Sequence, residues 1–399
     1  MTQFPLNFSL NLAELAWPFA IALAWIIGEF AHRWTRLPRI SIYGVVGFLM
    51  ANAQIGFLSH LDHGAILLFA NIAFGLILFE FGYRINVRWL QANPWIGVTG
   101  LVEASATFIA VFFVAQWFGT TTLVSLIMAS LSMATSPAGV LRVVNEQRSA
   151  GQVTERILHL SAINCVLAVI TFQVIVMFWK AQDTGNLLQP AMHSLVVLGA
   201  SVGLGALFGL LIPVILKRLG NLTQDTTVAF AFGVILLVAL THAAKLSPIL
   251  ATLSFGLMAR HRRVSLNRLQ KNFGVLGDLL TVMLFVYAAS TLEWQRVMTG
   301  AGLGLALFAV RSGVKILASA SLAHVSGISA RKGFLSGAAL APISVFVILT
   351  IEQTRYLGIA FADELAALVA MTLLLEVIGP VITQQALILA RETPEKMET

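Results

Sequence analysis

ATSPAGVLRVVNE, residues 134–146, opens with a proline set in an apolar run long enough to cross a lipid bilayer. Pro137 lacks a backbone donor and leaves a carbonyl one turn earlier without its helical partner. Inside hydrocarbon such groups must be bonded internally or line a watery cavity. The same pattern recurs later in the chain. ALAPIS, residues 339–344, places Pro342 in the middle of a second apolar run. Two ordinary proline kinks are the plain explanation. A pair of interrupted helices at corresponding positions of two halves is the alternative, and in transporters such a pair marks the binding site.

Composition supports a membrane setting. The chain has 399 residues, 58% of them hydrophobic and 11% charged, with a mean hydropathy of +0.87. Soluble domains carry about 25% charged residues, and a fold this poor in charge would expose large apolar patches to water. A transmembrane barrel needs short alternating strands, whereas these apolar runs are long and continuous. The fold class is an all-α polytopic membrane protein. A single cysteine rules out an intrachain disulfide. The net charge of +7 resides in short loops between apolar segments, which points to orientation in a bilayer and not to nucleic acid. No basic n-region precedes the first apolar segment, so it reads as a retained helix.

A crossing needs about 20 apolar residues. About thirteen segments qualify: 12–31, 40–58, 64–83, 95–117, 121–141, 157–179, 191–216, 226–243, 247–259, 273–291, 298–323, 333–351 and 364–390. The loops between them are asymmetric. Odd-numbered loops, from Arg33 to Lys332, hold 17 Lys and Arg residues, whereas even-numbered loops hold 4, namely Lys180, Lys245, Arg296 and Arg355. Basic loops stay cytoplasmic, so the N-terminus is expected outside and the C-terminus inside. An odd count with opposed ends suggests two inverted six-helix repeats, approximately 12–179 and 226–390, joined by a linking helix. Residues 1–390 then form a single transporter domain, and residues 391–399 a short cytoplasmic tail.

Several polar residues lie deep in these segments. Thr135 and Ser136 precede Pro137, and their hydroxyls could bond freed backbone groups or a small cation. Ser161, Asn164 and Cys165 share one face of the next helix by their spacing, and an Asn at this depth either bonds a neighbouring helix or serves a site. Arg311, well inside ALFAVRSGVKILASASL, is the costliest residue to bury and needs a partner. Lys315 is one turn further on the same face and could instead snorkel. Glu80 has Arg84 one turn on, which suits an interfacial ion pair or a titrating acid. Glu103 reads as lying near one end of its helix. Glu376, deep in the last apolar segment, could neutralise Arg311 or titrate with transport.

In their order, these segments resemble the cation/proton antiporter superfamily, sodium/hydrogen exchanger type. PRISIYGVVGFLMANAQIGFL (38–58) is similar to its early glycine-rich helix, and LILFEFGYRINVRWLQ (76–91) to its LLFEGG segment, with Glu80, Gly82 and Arg84 in register. ATSPAGVLRVVNE resembles the unwound-helix motif. LSPILATLSFGLMAR (246–260) and FAVRSGVKI (308–316) resemble later segments, the second carrying the membrane-embedded basic residue. The resemblance covers nearly the whole chain. It implies exchange of Na+ or K+ for protons by alternating access, in a homodimer whose core domain, with crossed broken helices, moves against a dimerisation domain. The expected transport site is Thr135, Ser136, Pro137, Asn164, Cys165, Arg311 and Pro342, with Glu80, Ser161, Lys315 and Glu376 as accessories. No cofactor is expected. A bacterial inner membrane is the expected location.

One position departs from the family. Its helix carries Asn-Asp or Asp-Asp where this chain has Asn164 and Cys165, and the Asp binds cation and proton in turn. The acid of the family's alternative T-D-P motif is here Ser136. A thiol of ordinary pKa, about 8.5, is neutral at pH 7, and soft sulfur is a poor ligand for Na+ or K+. Three readings follow: exchange through another acid, Glu80 or Glu376; transport of an anionic or neutral solute; or a degenerate homologue that does not transport. An enzyme is not expected, because HExxH, GxSxG and phosphate-loop patterns are missing, and Cys165 and His159 lie on different faces of one helix.

Overall fold

Continuous apolar runs can satisfy their backbone in lipid only as helices, and helices are what form. The structure, a computed structural model, describes residues 12–58, 63–184, 188–218, 226–261, 269–356 and 365–394. The basic loop residues Arg262, Arg263 and Arg268 and the tail residues 395–399 lie outside the described residues. The helices are α1 (Leu12–Thr35), α2 (Arg39–Met50), α3 (His63–Arg84), a short α4 (Val87–Ala92), α5 (Pro94–Trp117), α6 (Thr122–Ser132), α7 (Pro137–Gln147), α8 (Gln152–Thr184) and α9 (Leu188–Arg218). They continue as α10 (Thr226–Ala243), α11 (Pro248–His261), α12 (Leu269–Ser290), a short α13 (Trp294–Thr299), α14 (Ala301–Ser321), α15 (Ala330–Ala339), α16 (Val345–Tyr356) and α17 (Ala366–Leu389). No strand occurs among the described residues.

Among those residues, seven spans are long and apolar enough to cross a membrane by length and composition: α1, α5, α6 with α7, α8, α9, α14 and α17. Shorter apolar helices lie within α2, α10 and α12. Apolar side chains face outward along α1, α5 and α9, as lipid contact requires, and Trp34 (84% exposed) and Trp117 (87%) stand at helix ends, where indole prefers the interface.

Both proline segments are breaks, not kinks. The first run stops at Ser132 and restarts at Pro137; the second stops at Ala339 and restarts at Val345. The proline ring suits the first turn of a helix, where its missing donor is not needed, and Pro137 occupies that position in α7. The two irregular stretches, 133–136 and 340–344, pass each other, and the Ser136 amide donates to the Pro342 carbonyl at 2.9 Å. Around them pack α5, α8, α14 and α17. Close approach of α15 to α14 depends on Gly337, where a Cβ would stand 2.5 Å from the Lys315 carbonyl oxygen. That contact brings the basic face of α14 to the crossing.

Candidate functional site

Each broken helix leaves carbonyls without partners at the C-terminal end of its first half, where the helix dipole is negative. Arg311 meets these ends on both helices. Its Nε donates to the Ser132 carbonyl at 2.9 Å, Nη2 to Ala134 at 2.8 Å and Nη1 to Ala341 at 2.7 Å. The guanidinium is fully buried. Its rigid fork ties α14 to both breaks at once, a geometry an ammonium cannot match. Glu376 does not neutralise Arg311: carbonyls at the two breaks hold the guanidinium, and neither Glu376 oxygen has a hydrogen-bond partner.

Lys315 does not snorkel. It is fully buried, and its Nζ donates to Glu103 Oε1 at 2.5 Å and to the Met133 carbonyl at 3.2 Å. Glu103 is the residue that sequence reading misplaced. It lies nine residues into α5, fully buried, and is the hub of the cluster. Its Oε2 accepts from Asn164 Nδ2 at 2.6 Å, and its Oε1 accepts from the Thr107 hydroxyl at 3.2 Å. The sequence signal was present, since an acid at that depth of an apolar helix is expensive. Its mate, Lys315, lies 212 residues away.

The remaining polar atoms complete the picture. Asn164 Nδ2 also approaches Thr135 Oγ1 at 3.3 Å, and the Thr135 hydroxyl reaches the Leu340 carbonyl at 3.4 Å. With its amide nitrogen turned to Glu103, Asn164 presents Oδ1 with no hydrogen-bond partner, and the buried Ser132 hydroxyl is likewise unpartnered. Ser136 is engaged locally: its Oγ accepts from the Gly139 amide at 2.9 Å, capping α7. Ser161 bonds back to its own helix, to Ile157 at 2.6 Å and Leu158 at 3.1 Å, so its hydroxyl is not turned to the cluster. Cys165 is fully buried beside Ser344, the residue that precedes α16.

Thr135, Ser136, Pro137, Asn164, Arg311, Lys315 and Pro342 thus converge, with Cys165 on the α16 side of the crossing. Glu80 stands apart from this cluster and pairs with Arg84 at 3.3 Å, the interfacial arrangement its spacing allows. Glu376 borders the second break from α17: one turn on, a Cβ at Gly379 would lie 2.7 Å from the Pro342 Cα. Among the described residues, no group of three or more His, Cys, Asp or Glu side chains is placed to hold a metal ion. The arrangement offers one carboxylate, one free amide oxygen, hydroxyls and backbone carbonyls, which are hard oxygen ligands suited to a small cation. The carboxylate is occupied by an internal ammonium.

Comparison with known proteins places this architecture. A solved structure of the sodium proton antiporter MjNhaP1 from Methanocaldococcus jannaschii at pH 8 superimposes with a TM-score of 0.68 at 16% identity, covering 95% of this chain and 96% of that one. An electron-microscopy structure of the same antiporter gives a TM-score of 0.68 at 15% identity, covering 96% of each chain. No curated protein matches the chain by sequence. Residues 19–388 match the family described as sodium/hydrogen exchanger, transmembrane. With crossed broken helices, a buried basic pair on α14 and a family match over nearly its full length, the chain belongs to the sodium/hydrogen exchanger family of transmembrane proteins.

Proposed function

We propose that the protein exchanges Na+ or K+ for protons by alternating access, with Glu103 as the carboxylate that replaces the missing acid at Cys165. The family is one of transporters, not of enzymes. The observation that carries the reading is the Glu103 carboxylate held between Lys315 Nζ at 2.5 Å and Asn164 Nδ2 at 2.6 Å, beside the crossing. A carboxylate this deep needs a positive partner. Lys315 supplies one in the conformation seen. A monovalent cation that displaces the ammonium gains Glu103, Asn164 Oδ1 and Thr135 Oγ1 as oxygen ligands. The displaced ammonium then gives up its proton. The cation and the protonated Lys315 thus compete for one carboxylate, and release of the lysine proton to water as the cation binds couples the two fluxes.

The anionic-solute reading loses its support. Arg311 spends its guanidinium on backbone carbonyls and Lys315 is neutralised by Glu103. Two inverted repeats, thirteen crossings with each broken pair counted once, a cytoplasmic C-terminus, a homodimer and a bacterial inner membrane complete the proposal. The loop charge bias supports the orientation, and the family supports the dimer.

Reconstitution into liposomes with an internal pH dye tests the reading. Addition of external Na+ or K+ is expected to move protons with the wild-type protein and not with Glu103→Gln. Silence of the wild type with activity in Cys165→Asp would show that the antiporter frame survives and that Glu103 does not do the work. Undiminished exchange by Glu103→Gln would also remove Glu103 from the mechanism.

A further inference from the structure

Glu376 is buried, 4% exposed, and neither of its oxygens has a hydrogen-bond partner. It lies on α17, the helix that follows the second broken pair, and faces α2 at Gly44. A Cβ at Gly44 would sit 3.5 Å from the Glu376 Cγ and 3.8 Å from Oε1. Ser41, one turn earlier on the same face of α2, is also buried with an unpartnered hydroxyl. Charged and titratable groups on the packed helices are turned elsewhere. On α2, Arg39 binds Glu29 at 2.8 Å and Glu146 of α7 at 3.4 Å, and Tyr43 packs on Gly28. On α7, Arg142 pairs with Glu146 at 3.4 Å. On α13 and α14, Arg296 holds Glu293, Arg311 the carbonyls and Lys315 Glu103. On α15, Arg331 reaches the Leu389 carbonyl and Lys332 reaches Gln152. On α16, the ionisable residues Glu352, Arg355 and Tyr356 all lie seven or more residues beyond the start of the helix at Val345.

We propose that Glu376 is a second proton-binding site of the exchanger, one whose occupancy is tied to the seam between α17 and α2. A neutral carboxyl can be buried there. An ionised one with no partner is far more costly to bury. Closing the seam therefore binds a proton to Glu376 as the carboxylic acid, and opening it to water releases that proton as the seam's carboxylate becomes hydrated. This rests on the alternating-access reading, in which α17 moves with the crossed helices and α2 with the opposing body. It does not depend on Glu103 as the cation ligand.

The test has one readout that needs no transport. Dicyclohexylcarbodiimide modifies protonated, apolar carboxyls. In the wild-type protein at pH 6, peptide mass spectrometry is expected to find Glu376 modified and the ion-paired Glu103 unmodified. Protection of α2 amides, corrected for the base-catalysed rise of the intrinsic exchange rate, is expected to fall at least tenfold between pH 6 and pH 9 in the wild type, and to stay at its high value in Glu376→Gln, a near-isosteric mimic of the protonated acid. Absence of Glu376 modification, or an unchanged pH response of α2 in Glu376→Gln, would overturn the site. Modification with the expected α2 response, in a protein that moves no cations, would support the site while removing the antiport reading.

Discussion

Severing the buried ion pair between α5 and α14 should destabilise the protein in a way that a second substitution reverses. Lys315→Met removes the 2.5 Å bond to Glu103 and leaves a fully buried carboxylate with only Asn164 and Thr107 as donors. Glu103→Gln leaves a fully buried ammonium with amide and Met133 carbonyl oxygens but no counter-charge. Removing one member of a buried pair costs about 3–5 kcal/mol, because the other charge is stranded, whereas replacing both with neutral groups is close to neutral. Allowing about 1–2 kcal/mol for hydrogen bonds lost in the double variant, the two changes should couple by at least about 4 kcal/mol. Interhelical hydrogen bonds in membranes average about 0.6 kcal/mol by the same kind of cycle, so the expected value stands clear of that background. Reversible unfolding in mixed micelles, followed by the fluorescence of the 8 tryptophans, measures all four corners of the cycle. Single variants that each lose under about 1 kcal/mol and simply add would refute a charged pair at this site.

Arg311→Ala strands three buried carbonyls, each worth about 1–3 kcal/mol, and should lower stability by at least about 3 kcal/mol and impair exchange; wild-type turnover and melting in the variant would remove Arg311 from the site's scaffold. Cys165→Ser keeps the side-chain volume and the neighbour Ser344, so proton-coupled flux should persist; its loss in a well-folded variant would implicate the thiol. Glu392 caps α8 from outside the helix, accepting from the Val153 and Thr154 amides at 2.9 and 2.8 Å and from the Thr154 hydroxyl at 2.9 Å. Its replacement by Ala should cost about 2 kcal/mol and raise hydrogen exchange in the first turn of α8; unchanged protection there would show that the cap is dispensable. Gly82→Ala would set a Cβ 2.4 Å from the Leu253 carbonyl oxygen of α11 and should lower stability by about 1–3 kcal/mol, with a variant as stable as wild type counting against close packing of α3 on α11.

Hydropathy by itself determined that this chain is helical and spans lipid, because a backbone in hydrocarbon has almost no alternative to the helix. Local sequence also located both breaks, since proline acts on its own turn and needs no distant partner. The cost of a mid-membrane guanidinium singled out Arg311 for the same reason. What local sequence could not decide was the partner of each buried charge. Arg311 suggested a carboxylate, yet it bonds carbonyls exposed by two helix breaks, one of them before α14 and one after it. Lys315 could have reached an interface, and Glu103 looked peripheral, until packing of α5 against α14 brought them to 2.5 Å. Glu376 and Glu80 looked alike as candidate acids, but tertiary structure paired Glu80 with Arg84 and left Glu376 unpartnered against Gly44. Burial costs are written residue by residue, whereas their compensation depends on which helices become neighbours, and only the folded chain settles that.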